Sequence, residues 1–319
     1  MKKINKILLA SMILFSFTFL AFEVKAVEKE PVMYSIMGNG GGGGTLPPEQ
    51  PPQVIPWGIT RVNAITAAAM VDESSTIIAI LDTGMDLDHP DLAAQYIWGY
   101  DIVNQDTLPD DDHGHGSHCA GTAAGIDNDI GVVGVAPDVG LYILKVLNRR
   151  GSGTDLQVAT GIIMATEGPD GTPGTSDDAD IISMSLSGGY AEIIEDAVAY
   201  AISYGVVVVA ATGNQYADVP AYPAAYPGVI KVGATDINDV EADFSNDGET
   251  ILAPGVSIFS TYKNAGYATM SGTSMATPHV AGVCALAIAA HPSYSVVQIV
   301  ALVEGSADVA GVVDALAVV

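Results

Sequence analysis

Apolar residues come in two rhythms along this chain. Short, nearly unbroken runs occupy 76–81, 141–146, 181–186, 206–211 and 229–232, and the first of them ends at Asp82. Runs of that length read as strands buried on both faces. Between them lie the helix candidates 116–124, 155–166 and 192–204. A last long helix begins near Ser274 and continues through Ala290, stopping before Pro292, with Pro278 near its first turn, where a missing N–H costs little. Apolar strands alternating with helices predict an α/β fold with a mainly parallel sheet covered on both faces. In such sheets functional residues collect beyond the strand C-termini, which singles out Asp82 and Asn214. There is no internal repeat.

The first 52 residues follow another pattern. Lys2, Lys3 and Lys6 precede an apolar run over 7–22, and Val24-Lys25-Ala26 places small residues at the two positions a signal peptidase reads. This predicts a secretory signal over 1–26, since a run of about 16 residues falls short of the ~20 that a spanning helix needs. Gly40 to Gly44, then Pro47, Pro48, Pro51 and Pro52, make 27–52 a short pro-segment and linker. A single domain is expected over 53–319.

Composition adds three constraints. With 49% hydrophobic but only 7% aromatic residues and 35 glycines among 319, the core is built from Ala, Val and Ile. Of 11 Lys and Arg, five lie in the first 30 residues, and of 37 Asp and Glu, three do, leaving 6 basic and 34 acidic side chains and a net charge of −28. That surface repels nucleic acid and anionic membranes and attracts divalent cations. A monomer is expected. Cys119 and Cys284 sit in Ala/Gly/Val-rich helical stretches, the setting of buried free thiols, although an oxidising compartment would permit a disulfide.

Three segments carry the chemistry. Ile80-Leu81-Asp82-Thr83-Gly84 puts a carboxylate at a strand end before a glycine turn. Asp112-His113-Gly114-His115-Gly116-Ser117-His118 clusters imidazoles. Ser271-Gly272-Thr273-Ser274-Met275-Ala276-Thr277-Pro278 sets a serine among small residues at a helix start. A serine hydroxyl becomes a nucleophile only beside a base, and the base needs an acid to fix its tautomer. Asp82, His115 and Ser274 supply those types in the order Asp, His, Ser.

The three segments resemble the signature motifs of the subtilisin family (subtilases), in the family's order. The resemblance runs from Gln53-Val54-Ile55-Pro56-Trp57-Gly58 to Gly311-Val312-Val313-Asp314-Ala315-Leu316, nearly the whole chain after the linker. It implies a three-layer α/β sandwich and a secreted serine endopeptidase acting on protein or peptide substrates. The family's base precedes Gly-Ser/Thr-His, which selects His115 and leaves His118 a packed residue. In Thr212-Gly213-Asn214, the Asn214 side chain joins the Ser274 N–H as an oxyanion donor. Ser185, Leu186, Ser187 and Gly188 match the segment lining the primary specificity pocket, with Ala211 and Gly213 as another wall. Such small residues imply a preference for a large apolar or aromatic side chain before the scissile bond. Ser187 stands where the family has glycine. An ordinary histidine loses its proton at roughly pH 6–7, so activity should rise through that range.

The resemblance also implies structural Ca²⁺, with side-chain oxygens from Gln53, Asp91 and Asn128 and carbonyls from Ile126, Ile130 and Val132, in a loop that interrupts the histidine-bearing helix. An oxygen-only set suits a hard cation. Residues 167–180, rich in Asp and Gly, are an insertion relative to the family, and Asp170, Asp177 and Asp178 raise a second calcium site against a plain solvated loop. The pro-segment is too short for the folded propeptide usual in secreted subtilisins. Three rivals stand beside the endopeptidase. A metal cluster of Asp112, His113, His115 and His118 is one. A lipase-like esterase is another, but it wants Gly-x-Ser-x-Gly and its serine first. An inactive binding module would lack a catalytic residue.

Overall fold

The computed structural model describes residues 33–35 and 50–319; the expected signal lies outside these, as does most of the pro-segment. Seven strands form one wholly parallel sheet: β2 (Ile77–Asp82), β3 (Tyr96–Asp101), β4 (Gly140–Lys145), β6 (Ile181–Met184), β7 (Val207–Ala211), β8 (Ile230–Thr235) and β9 (Ile251–Pro254), in the order β3-β4-β2-β6-β7-β8-β9. Each run of the apolar pattern became a strand of this sheet. Alternation within β2 shows why both faces are covered. Ile78 and Ile80 join one buried cluster, while Ile77, Ala79 and Leu81 join the other.

The first cluster is closed by α1 (Trp57–Arg61), α2 (Ala64–Ala68), α3 (His115–Ala124), α6 (Thr273–Ala290) and α7 (Val296–Gly305). The second is closed by α4 (Asp155–Glu167) and α5 (Glu192–Ser203). The result is the helix–sheet–helix sandwich expected from the sequence. Helix α6 runs against β6, β7, β8 and β9. It is the one helix among the described residues long and apolar enough to cross a bilayer, and 83% of its apolar window is buried inside the fold. Cys119 and Cys284 are buried free thiols.

Two small antiparallel pairs flank the sheet. β10 (Ile258–Tyr262) pairs with β11 (Gly266–Met270), and β1 (Met33–Ser35) pairs with β5 (Ser152–Thr154).

Two local details differ from the sequence reading. Pro278 lies in the second turn of α6, so its missing N–H removes a bond that the Ser274 carbonyl would otherwise accept. The acidic loop after α3 does not interrupt that helix but ends it, since Gly125 turns the chain out at ψ 132° and no helix resumes before β4.

Candidate active site

Asp82 is the last residue of β2, His115 the first of α3, Ser274 the second of α6, and Asn214 lies three residues past β7. All four therefore sit at the C-terminal edge of the sheet. The turns that carry Asp82 and His115 touch directly. Gly84 takes φ 103°, and a Cβ on Gly116 would run into the Gly84 carbonyl, which is why glycine follows the histidine.

The Asp82 carboxylate accepts from the Thr83 N–H at 2.7 Å and from His115 Nδ1 at 2.8 Å. Both side chains are 1% exposed. Burial opposes a charge on the His115 ring, but the adjacent carboxylate outweighs it and holds the ring well above the ordinary histidine value. The pH expectation drawn from an ordinary histidine therefore moves upward. His115 Nε2, the nitrogen that would take a proton, has no hydrogen-bond partner among the described residues.

Ser274 is cross-linked to the end of β6. Its hydroxyl donates to the Ser185 carbonyl at 3.1 Å, and the Ser185 hydroxyl donates back to the Ser274 carbonyl at 2.8 Å. That carbonyl is the one freed by Pro278, and the Cys119 thiol also points at it, at 3.5 Å. Proline thus turns a helical acceptor outward to pin the serine. Because Ser274 lies in the first turn of α6, its N–H has no intrahelical acceptor and belongs to the positive end of the helix dipole. The Asn214 amide is anchored by its oxygen, which accepts from the Thr273 N–H and hydroxyl, each at 2.9 Å, leaving Nδ2 as its donor end.

Several residues that sequence reasoning passed over hold this arrangement. Asp111, 5% exposed, accepts from the Thr83 hydroxyl and from the N–H groups of His113, Gly114 and Ser117, plus the Ser117 hydroxyl. Thr83 in turn accepts from the Gly116 N–H at 2.9 Å, so Asp111 ties the aspartate turn to the histidine turn. Buried Lys145 donates to the Thr83 carbonyl and to Asp112 Oδ1. Asp111 lies in the run Asp110-Asp111-Asp112, where nothing in the sequence marks the middle carboxylate.

The metal cluster raised as a rival does not assemble. Asp112 is paired with Lys145, and His118 Nε2 meets the Ile258 carbonyl at 3.0 Å. Burial and the charge of His115 push His118 down to about 3, which makes it a neutral packed residue. Among the described residues the one grouping with ligand-like spacing is Asp82, His115 and Cys119.

Of the expected pocket residues, Ser185, Leu186 and Ala211 are buried at the ends of β6 and β7. Ser187 is half-buried. Gly188 spends its N–H and carbonyl on a bridge to Tyr222, and Gly213 takes φ 105° against Asn246 and Gln215.

The calcium residues also come together. Residues 52–54 lie along the loop after α3, with Gln53 N–H on the Asp129 carbonyl and Val54 N–H on the Gly131 carbonyl. Alternation along that extended loop turns the Ile130 and Val132 carbonyls the other way, and with Ile126 they accept no backbone hydrogen bond among the described residues. Asp91 is fully buried, yet its donors are neutral: Asn128 Nδ2 at 3.2 Å, the Val132 N–H at 2.9 Å and the Tyr267 hydroxyl at 2.9 Å. A buried carboxylate without a cationic partner beside orphaned carbonyls fits a hard cation. In the 167–180 insertion, Asp170, Asp177 and Asp178 accept from the loop's own N–H groups and the Thr175 hydroxyl.

Residues 73–316 match the Subtilase family. Thermitase from Thermoactinomyces vulgaris is 42% identical over 256 residues, covering 79% of this chain and 88% of that protein. Subtilisin DY from Bacillus licheniformis is 40% identical over 255 residues, covering 77% and 89%. Subtilisin Savinase from Lederbergia lenta is 44% identical over 251 residues, again 77% and 89%. A strand-end aspartate bonded to a helix-start histidine and a serine pinned at the start of a core helix thus sit within sequence that matches the family, and the chain belongs to the subtilase family of serine peptidases.

Proposed function

We propose that the chain is a secreted, calcium-stabilised endopeptidase that cuts peptide bonds through an acyl-enzyme on Ser274. The carrying observation is the Asp82–His115 pair, which fixes the tautomer by its 2.8 Å bond and leaves Nε2 unpartnered. On substrate binding the Ser274 hydroxyl rotates off the Ser185 carbonyl onto Nε2. As the oxygen attacks the scissile carbonyl, its proton passes to His115, and Asp82 stabilises the imidazolium. The oxyanion is met by Asn214 Nδ2 and the Ser274 N–H. His115 then protonates the leaving amine, and a water repeats the cycle in reverse to free the acid. Casein clearance by the wild type and not by Ser274→Ala tests the reading.

Asn214→Leu should lower kcat by about 10²–10³ with KM nearly unchanged, a size known for the same oxyanion position in subtilisin itself. A raised KM with normal kcat would assign Asn214 to ground-state binding instead.

Small residues at Ala211, Gly213 and Gly188 support a roomy slot for an apolar or aromatic side chain before the scissile bond. The N-terminal pattern supports secretion, and the acidic surface supports a monomer that avoids nucleic acid and anionic lipid. Gln53, Asp91 and Asn128, with the carbonyls of Ile126, Ile130 and Val132, would hold Ca²⁺, which when bound ties residues 52–54 to the loop after α3 and takes no part in the chemistry. Chelation should lower Tm by about 5–10 °C if the ion is present near 100-fold above its Kd. An unchanged Tm would remove the structural ion.

A further inference from the structure

Thr235 Oγ1, Glu241 Oε1 and Glu249 Oε2 are buried oxygens without a hydrogen-bond partner among the described residues, and the backbone brings them to one face of β8. Ile230, Val232 and Ala234 fill the first core cluster, so Gly233 and Thr235 share the opposite face. The loop after β8 doubles back at once. Asp236 N–H donates to the Val240 carbonyl at 2.9 Å, and Ala242 N–H donates to the Ala234 carbonyl at 2.8 Å. Thr235 and Glu241 are therefore a non-hydrogen-bonded antiparallel pair, whose two side chains project close together from one face. Glu249 enters from the far end of the loop. A Cβ on Gly233 would stand 3.2 Å from Glu249 Cγ and 3.2 Å from Ser245 Oγ, so glycine makes room for both beside Thr235.

The cluster has oxygens but no positive charge. Thr235 is fully buried, and both glutamates are half-buried. Lys231 lies two residues before Gly233 on the same face, yet among the described residues neither it nor any other basic side chain pairs with either glutamate. Burial and the charge of Glu249 hold Glu241 above the ordinary glutamate value, against the nearby Ser245 hydroxyl. A hydroxyl touching a carboxylate would donate to it, but Thr235 reaches neither glutamate. Oxygens that share one calcium ion, each about 2.3–2.6 Å from it, stand apart in this way. A hard cation also offsets the cost of two neighbouring, partly desolvated carboxylates.

We propose that Thr235, Glu241 and Glu249 form a further calcium site, separate from the Asp91 loop, in which both carboxylates and the threonine hydroxyl bind the ion and water completes its shell. The ion ties the 236–250 loop to β8. That loop props the turn carrying Asn214: Asn246 Oδ1 accepts from the Gln215 and Ala217 N–H groups at 2.8 and 3.1 Å, and its Nδ2 donates to the Thr212 carbonyl at 2.9 Å.

Equilibrium dialysis against CaCl₂ tests this on the full chain carrying Ser274→Ala, stripped of ions by a chelator beforehand. Glu241→Gln and Glu249→Gln, each added to that parent, should bind one ion fewer than the parent does. The lost ion should be one with Kd about 10⁻⁴–10⁻³ M, the range of a site with few charged ligands. Glu241→Lys separates loss of the site from loss of the fold, because its ammonium takes the place of the ion's charge. It should bind one ion fewer and still melt, in chelator, no lower than the parent. Glutamine variants that bind as many calcium ions as the parent overturn the proposal, and so does a Glu241→Lys variant that keeps every ion.

Discussion

Ser274→Ala should leave casein uncleared and lower kcat on a peptide substrate by about 10⁶, a magnitude that is subtilisin's own rather than one computed from these distances. The argument is that the groups act as a unit. Without the hydroxyl there is nothing for His115 to deprotonate, and without His115 the hydroxyl is a poor nucleophile. The double variant Ser274→Ala/His115→Ala should therefore be no slower than either single one. Residual hydrolysis about 10³–10⁴ above the uncatalysed rate should survive, because Asn214 Nδ2 and the residue-274 N–H still face the developing oxyanion; subtilisin again sets that scale. The fold should tolerate the change. The lost bond is the 3.1 Å contact from the Ser274 hydroxyl to the Ser185 carbonyl, worth about 1 kcal/mol, while the Ser185 hydroxyl still reaches the 274 carbonyl. Clearance of casein by the alanine variant at the wild-type rate would end the serine mechanism.

What the sequence disclosed and what it hid follow from where the signal resides. β2, β4, β6, β7 and β8 were legible because strands buried on both faces are written as unbroken apolar runs. β3 was not, since at the sheet edge only Gly99 and Asp101 of Tyr96–Asp101 are fully buried and its aromatic residues stay partly open, and β9 is only four residues long and ends in Pro254. β1 and β5 are three-residue strands whose identity lies in pairing across 117 positions or more, which no local pattern carries. The site divides similarly. Asp82, His115 and Ser274 declare themselves because each sits in a motif whose glycines the geometry demands, Gly84 for its positive φ and Gly116 for the close approach of two turns. Asp111 and Thr273 are equally embedded, yet what ties them to the site is a hydrogen bond to a residue remote in sequence, from the Thr83 hydroxyl to Asp111 and from Thr273 to the Asn214 oxygen. Pro278 looked like a helix-start proline, and only the helix register reveals that it frees the Ser274 carbonyl.

Asp82→Asn should cost about 10⁴ in kcat, the size found for the triad aspartate of serine proteases, subtilisin among them. The carboxylate can only accept, so it commits Nδ1 to carry the hydrogen and leaves Nε2 as the base. An amide can instead donate to Nδ1, which places the hydrogen on Nε2 and leaves nothing to take the serine proton. The pH dependence separates this from a mere loss of position. In the wild type, Asp82 holds His115 well above 6.5, so the acid limb of kcat/KM should lie on the alkaline side of that value. Removing the charge leaves burial, which lowers the ring's pKa, opposed only by the neighbouring Cys119 thiol, so the limb should move down toward 6.5 in the variant. Stability must follow with its own sign. A base whose folded pKa is raised contributes stability that is fully present below its unfolded value and is lost as pH rises through the folded one. The Tm gap between wild type and Asp82→Asn should accordingly be wider at pH 5.5 than at pH 9. An acid limb that stays in place, or a Tm gap that widens with rising pH, would show that the carboxylate does not set the protonation of His115.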